Sequence, residues 1–485
     1  MPLYLQAFFN EYWPHIVFLF TVAAAATAAI HASMTKTDVR AAIGWVGIIL
    51  LSPLFGAFLY LIAGINRVRH DQLVQQRDKS LRHYTTLDDT PIADVVPYSA
   101  SQFSSLQTLG NSLSNFPLCD GNYIQLLNSG DETYPAMVEA IEGAKVSVAL
   151  QTYIFDNDSE GRKIVDALAR AVKRGVHVRV LIDAIGSKYS RPPIVRLLRR
   201  NGVRTALFMT NPLGLRMPYA NLRSHRKILI VDGCIGFTGG MNIRAGFVSD
   251  DAGRPPARDT HFKMEGPIVL QLTAVFSQDW EFTTREALPY DIWCCESWAP
   301  PTPRVPARCV RSGPDRSILS THNMLLGAFA VAQKNIRIQS PYFLPDVALL
   351  GAINTAARRG IQVDIVIPGQ NNLRLVNYAM TAQLDQVIRN GCRVWRTRGT
   401  FDHSKLITID GAWSYVGSSN LDPRSLRLNF ELDVEIYSRA MARDLEERID
   451  TEIGSADAVT LETLAAIPFL KRLRNKIIWL ASPYL

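Results

Sequence analysis

The sequence predicts an α/β chain: two duplicated domains, each a mixed or parallel sheet with helical cover, preceded by two transmembrane helices. Three observations carry that reading. The pattern His-x-Lys, four residues, Asp-Gly occurs twice, as HRKILIVDG (His225–Gly233) and HSKLITIDG (His403–Gly411). Strand-like and helix-like runs alternate in the same order ahead of each copy, which implies parallel strands under helices. Near the N-terminus, two apolar stretches approach the roughly 20 residues that span a bilayer.

Residues 1–70 form the anchor, with spans at about 14–33 and 41–65. Ile16–Ser33 has no acidic or basic residue but His31, and Ala41–Ile65 carries no charge at all; the alanine-rich first span is the weaker. No Lys or Arg precedes Lys36, so the basic head of a signal peptide is missing. Trp13 and Tyr60 stand near span ends, where aromatic rings prefer the interface. Arg67, Arg69, Arg77, Lys79 and Arg82 follow the second span, against Lys36 and Arg40 between the two. That bias places the N-terminus and everything after residue 66 on the cytoplasmic side of the membrane.

Lys and Arg together number 52 against 44 Asp and Glu, a net charge of +8 that favours acidic partners: nucleic acid, anionic lipid or phosphorylated substrates. The six cysteines show no metal-ligand spacing and read as reduced packing thiols.

Residues 71–115 read as a linker, 116–300 as the first domain and 301–485 as the second, with the Pro-rich Trp298–Arg308 at the seam. In the first domain, KVSVALQTYIF is a strand, GRKIVDALARAVKRG a helix and VHVRVLIDAIG the next strand. NIRIQSPYFLPD, ALLGAINTAARRG and IQVDIVIPGQ repeat that order in the second. Upstream, LNSGDETYPAMVEAI is answered by VRSGPDRSILSTHNMLLGAF. Such a duplication predicts a pseudo-twofold axis and one site built from both copies.

Strand alternation points His225 with Lys227, and His403 with Lys405, the same way. ILIV and LITI are apolar on both faces, as in a parallel sheet. Asp232 and Asp410 complete the motif and belong with its catalytic set, yet their odd offset from the histidines turns them away, to hold structure. The turns FTGGMN and YVGSSN follow; Gly239, Gly240 and Ser418 are small enough for backbone amides to meet an anion, and Asn242 and Asn420 add donors. This set is rich in partners for phosphate oxygens. No carboxylate cluster accompanies it to hold a metal; the lysines can stabilise phosphoryl charge instead. One histidine can attack phosphorus while the other protonates the leaving alkoxide. Asp259 in RDTHFKMEGP and Glu431 in LNFELDVEI are candidates to hold the far ring nitrogens.

These motifs resemble the phospholipase D superfamily. HRKILIVDGCIGFTGGMN, RDTHFKMEGP and HSKLITIDG with VGSSNLDPRSLRLNFE are similar to its bacterial cardiolipin synthase branch, from about residue 40 onward. The resemblance implies a two-step phosphatidyl transfer without metal or other cofactor, joining two phosphatidylglycerol molecules and releasing glycerol. It implies His225 as nucleophile and His403 as general acid and base. Lys227, Lys405, Asn242 and Asn420 match the phosphate-binding positions, and Asp259 and Glu431 the histidine-orienting carboxylates. The second motif has GSSN where the first has GGMN. The expected partners are anionic phospholipids and the membrane, with no nucleic acid. The competing classes are a phospholipase D-type hydrolase, a nuclease or phosphodiesterase of the same superfamily, and phosphatidylethanolamine as second substrate. The C-terminal Phe469–Leu485 mixes basic and apolar residues, as a helix lying on an anionic leaflet does.

Overall fold

A computed structural model describes residues 3–36, 38–65, 93–210, 222–249, 255–295 and 304–482. The basic flank from Arg67 to Arg82, the Pro-rich stretch up to Pro303, and the last three residues lie outside them. The chain divides into two compact units, Met1–Arg69 and His70–Leu485.

In the first unit the alanine-rich segment lies in one long helix, Leu3–Thr35. Among the described residues it contains the single helix long and apolar enough to cross a membrane, Glu11–Thr35. The expected second span is not continuous. Its helix Val39–Leu51 ends at Ser52, and a new one, Pro53–Leu59, runs into a π-turn, Tyr60–Gly64. Pro53 supplies no backbone N–H and restricts Ser52 to an extended conformation, so the helix restarts there instead of running through. The stronger span by sequence is therefore the broken one. Tyr60 ties the segments together: its hydroxyl meets His31 Nδ1 at 2.7 Å, and its ring packs edge-on against Trp45.

The second unit is built on one large sheet. Its first half supplies β1 (Cys119–Leu127), β2 (Ser147–Thr152), β3 (His177–Asp183), β4 (Arg204–Phe208), β5 (Arg223–Ser224), β6 (Ile228–Val231), β7 (Ile235–Gly239) and β8 (His261–Glu265). Its second half supplies β9 (Val305–Ser312), β10 (Asn335–Gln339), β11 (Gln362–Pro368), β12 (Arg393–Thr397), β13 (Leu406–Ile409), β14 (Trp413–Gly417), β15 (Asn429–Tyr437) and β16 (Asp457–Val459). The order is β16-β12-β11-β10-β13-β14-β15-β9-β1-β8-β7-β6-β2-β3-β4, with β5 paired to β15. Leaving β16 aside, the list reads alike from both ends: β9 answers β1, β15 answers β8, β13 answers β6 and β10 answers β2. The halves meet where β1 and β9 pair antiparallel. The duplication thus folds into one pseudo-twofold sheet.

Within the main sheet path, parallel pairing is found in β2-β3-β4 and β10-β11-β12, and the short β5 pairs in parallel with β15. The motif strands β6 and β13 are antiparallel to both neighbours, against the parallel setting expected of them. They are buried throughout and almost wholly apolar, with Thr408 bonded to Glu446 as the one polar residue. Helix Ser159–Lys173, capped by Asp158, buries Ile164, Val165 and Leu168 against the first half's sheet. Helix Val347–Arg358, capped by Asp346, buries Leu349 and Ile353 in the second.

Three segments differ from expectation. Phe103–Leu113 is not part of a tether: it is a helix whose Phe103 and Leu106 belong to the second half's core. The end of the Pro-rich stretch, Val305–Arg308, is a fully buried part of the central strand β9. And the cysteines are not all thiols. Cys234 and Cys295 form a disulfide across 61 residues of sequence, while Cys119, Cys294, Cys309 and Cys392 are buried thiols outside any disulfide. The reason is tertiary: the turn after β6 presses Gly233 against the backbone of Trp293–Cys295, which brings the two sulfurs together.

Candidate active site

Each motif begins as a loop that crosses to the other half. β5 pairs in parallel with the start of β15, and His225 N donates to Phe430 O at 2.8 Å. In the other direction Arg258 bridges to Asp402, and His403 N donates to Arg258 O at 2.7 Å. Each histidine is therefore laid beside the strand or loop that carries the other half's carboxylate. His225 Nδ1 lies 3.0 Å from Glu431 Oε2, and His403 Nδ1 lies 2.8 Å from Asp259 Oδ2. The pairing is crossed, and neither half holds a complete set. The imidazoles face each other with centroids 6.4 Å apart and planes at 78°.

A carboxylate at Nδ1 fixes that nitrogen as the proton donor and leaves the Nε2 lone pair for chemistry. Burial lowers the pKa of both histidines, that of His403 to about 4, where Lys405 adds its repulsion. Burial opposes ionisation of Glu431 and Asp259, but the imidazoles and the lysines outweigh it and hold both carboxyls below their ordinary values. The resting arrangement is two neutral rings on two carboxylates.

Lys227 and Lys405 are buried beside them, each ammonium bonded to the carbonyl of its own histidine. Burial lowers Lys227 to about 7 and Lys405 to about 8. Asn242 and Asn420 line the same cavity as the histidines, a space of about 450 Å³. Asn242 Oδ1 accepts from Ile154 N, which leaves its amide N–H groups to face inward.

The small residues of the turns sit elsewhere than expected. Gly240 N donates to Thr260 O and Ser418 N to Leu432 O, so these amides are spent on neighbouring strands and do not cradle an anion. A Cβ at Gly240 would lie 2.2 Å from Asp259 Oδ1; glycine there admits the carboxylate. Gly239 precedes it on β7, packed against Thr260 and His261. Ser418, the counterpart of Gly240, donates its hydroxyl to Glu431 Oε2 at 2.6 Å. The GGMN and GSSN turns thus fit a short and a longer carboxylate respectively.

Asp232 and Asp410, expected with the catalytic set, are not among the residues lining the cavity, and their carboxylates are turned to backbone amides. Each occupies a left-handed turn before a glycine, with φ of 52° and 55°. Asp232 accepts from the amides of Lys145, Val146 and Ser147, and Asp410 from those of Gln333, Lys334 and Asn335. They pin the β6-β7 and β13-β14 turns to the starts of β2 and β10.

Several residues around the site carry no motif signal. Tyr153 meets His225 edge-on at 5.3 Å, and Phe401 lies 5.7 Å from His403. Arg226, the middle residue of His-Arg-Lys, is fully buried; it bonds Asp279 at 2.8 Å and donates to Glu431 O at 3.0 Å. Its place between two recognised residues was the available hint.

A duplicated sheet presenting two carboxylate-backed histidines and two asparagines to one cavity, with two lysines buried beside the histidines, defines a phospholipase D-type phosphodiester transferase. The comparisons narrow that class. The chain belongs to the cardiolipin synthase family of phospholipase D-like proteins: the model described as "Cardiolipin synthase, PLD-like domain" matches residues 137–280 and 325–453. It is accordingly a phosphatidyltransferase of that superfamily. A second model, a phospholipase D-nuclease N-terminal segment, matches residues 21–64. Cardiolipin synthase A of Pseudomonas fluorescens (strain SBW25) is 32% identical over 464 residues, covering 94% of this chain and 95% of that one. Cardiolipin synthase of Alkalihalophilus pseudofirmus is 29% identical, covering 91% and 88%. Among solved structures, phosphatidylserine synthase of Haemophilus influenzae Rd KW20 shares the fold, with a TM-score of 0.59 at 17% identity over 79% of this chain and all of that one.

Proposed function

We propose that this enzyme moves a phosphatidyl group from one phosphatidylglycerol to another through a phosphohistidine, releasing glycerol. The observation that carries the mechanism is the crossed pairing of His225 with Glu431 and His403 with Asp259. In the first half-reaction His225 Nε2 attacks phosphorus, and His403 gives a proton to the departing glycerol oxygen. In the second, His403 takes the proton of the incoming hydroxyl, whose oxygen displaces His225 from phosphorus. Lys227, Lys405, Asn242 and Asn420 hold the phosphoryl oxygens. His403 must gain its proton with substrate present; the negative phosphodiester offsets the burial that discharges the ring in the empty site.

The anchor serves access to a bilayer substrate. We assign the protein to the inner membrane as a multi-pass chain, its second span formed by the broken helices Val39–Leu51 and Pro53–Leu59, with the catalytic unit cytoplasmic by the basic flank. The Cys234–Cys295 bond opposes that side, since disulfides persist in oxidising compartments. Membrane-impermeant maleimide labelling of a cysteine added to the exposed Gly246 loop decides: protection in intact cells is expected, and labelling reverses the assignment.

Helix Phe469–Leu480 packs one side on helix Arg374–Ile388, with the Arg474 guanidinium over the Tyr378 ring and Lys476 donating to Ala382 O. Its Phe469, Leu470, Leu473, Ile477 and Leu480 remain exposed. That leaves an apolar face with a basic margin for an anionic leaflet.

Mass spectrometry of products from defined phosphatidylglycerol vesicles tests the reading. Cardiolipin with equimolar glycerol is expected; phosphatidic acid as the main product would make the enzyme a hydrolase.

A further inference from the structure

Two loops related by the pseudo-twofold border the cavity. One follows β3 and carries Ile185 and Tyr189; the other follows β11 and carries Leu373 and Leu375; β3 and β11 hold matching places in the sheet order. Tyr189 and Leu373 line the cavity. Each loop reaches its own half's histidine through one tyrosine. The Tyr189 ring stands 6.3 Å from that of Tyr153, which meets His225. Tyr342 lies 6.3 Å from His403 and donates its hydroxyl to Asn372 Oδ1 at 2.7 Å. Both loops expose what a folded chain ordinarily buries: Ile185 is 38% exposed, Tyr189 59%, Leu373 47% and Leu375 55%. Their backbones are nevertheless fixed. Asp183 Oδ1 accepts from the amides of Ile185 and Gly186, while Asn371 accepts from Leu373 N and donates to Pro341 O. Lys188, Arg191 and Arg374 stand exposed on the same two segments.

Apolar side chains held outward on fixed loops, with cations beside them, mark a surface that meets another phase. The substrate says which. A space of about 450 Å³ has the size of a drug-like ligand and does not also enclose the two long acyl chains of a phosphatidyl donor. Those chains must stay in the leaflet, because drawing them into water costs in proportion to their methylenes. The mouth of the cavity must therefore come to the leaflet. A protein seated on the same rim would close the entrance instead. The rim is also continuous with a surface already read as membrane-facing: helix Arg374–Ile388 begins within it and carries helix Phe469–Leu480 along its side.

We propose that Ile185, Tyr189, Leu373 and Leu375 form a docking rim that enters an anionic leaflet, with Lys188, Arg191 and Arg374 at the level of the lipid phosphates, so that a phospholipid passes from the bilayer into the cavity without crossing water. This rests on the phosphatidyl transfer proposed above and names the surface through which its substrate arrives. The rim takes no part in the bonds made and broken; it sets which lipid phase the two histidines face.

The test reads position and turnover separately. The full chain is reconstituted into vesicles of equimolar phosphatidylglycerol and phosphatidylcholine, with a nitroxide on Ile185→Cys, on Leu375→Cys or on Val146→Cys. Val146 is exposed just before β2, at the end of that strand away from Tyr153. Labels at 185 and 375 should be more accessible to dissolved oxygen than to an aqueous nickel complex, and the label at 146 the reverse. Labels at 185 and 375 that meet the nickel complex as freely as the one at 146 overturn the rim. Ile185 and Leu375 are not among the lining residues, so the double variant Ile185→Ser/Leu375→Ser separates docking from chemistry. It should lose about tenfold or more in rate on the vesicles, the scale of two apolar side chains withdrawn from lipid. On monomeric dihexanoyl phosphatidylglycerol, with the chain in detergent, it should stay within about twofold of wild type. Equal losses on both substrates, or none on vesicles, overturn the rim. A wild-type enzyme that forms no cardiolipin from either substrate overturns the phosphatidyl transfer instead, and leaves the label pattern to decide the rim.

Discussion

At the residue scale, the protonation of the site follows from what stands behind each ring. Ser418 holds Glu431, which holds His225. Ser418→Ala removes that donor without touching the cavity, and should lower kcat about 10–100-fold, as loss of an outer partner does, with little change in KM. Steady-state kinetics check the split. The lysines set the alkaline limit. Burial lowers Lys227 to about 7 and Lys405 to about 8, so in the free enzyme both lose their charge as pH rises through that range. Anion binding weakens with them, and kcat/KM should fall from neutral pH upward. Lys227→Arg keeps its charge and should move this limb to higher pH. A wild-type profile flat to pH 9 would contradict the assignment of these ammonium groups to phosphate.

At the element scale, the motif aspartates act through backbone. Asp232 collects three successive amides at the start of β2 from a left-handed turn. Asp232→Asn tolerates the turn but removes the charge from those bonds. It should cost about 1.5–3 kcal/mol of stability, read by denaturant unfolding of the full chain in detergent, while kcat of the folded protein stays near wild type. A tenfold fall in kcat without loss of stability would return Asp232 to the catalytic set. The elements also mark what the sequence made legible. Strand, helix and motif order was readable because it rests on local periodicity, and the odd offset of Asp232 and Asp410 already turned them outward. The antiparallel setting of β6 and β13 was not, since a strand covered on both faces is equally apolar in either arrangement. The crossed histidine–carboxylate pairs, the Cys234–Cys295 bond and the place of helix Phe103–Leu113 in the second core depend on contacts between distant segments. Gly240 and Ser418 looked like an anion turn because small residues permit any close approach, whether to a ligand or to a neighbouring carboxylate.

At the scale of the whole molecule, one site is shared between the two halves of one sheet. Deleting residues 1–66 leaves the entire sheet and both motifs in place. The truncated enzyme should keep its activity on lipid in mixed micelles and lose far more on vesicles, where the tether supplies proximity; residual vesicle binding through the C-terminal helix should weaken with salt. Equal losses in both would give the N-terminal helices a part in shaping the active site. The central claim is that His225 carries the phosphatidyl group while His403 moves the protons. A phosphatidyl ester of p-nitrophenol bypasses the first proton, because its leaving group departs unaided. With this substrate, His403→Ala should release one equivalent of p-nitrophenol per enzyme in a burst and then stall, since nothing activates the acceptor. Mass spectrometry of the stalled protein should find one phosphatidyl group on His225, and His225→Ala should show neither burst nor adduct. A burst in His225→Ala, or an adduct on any residue but His225 in His403→Ala, would contradict the account.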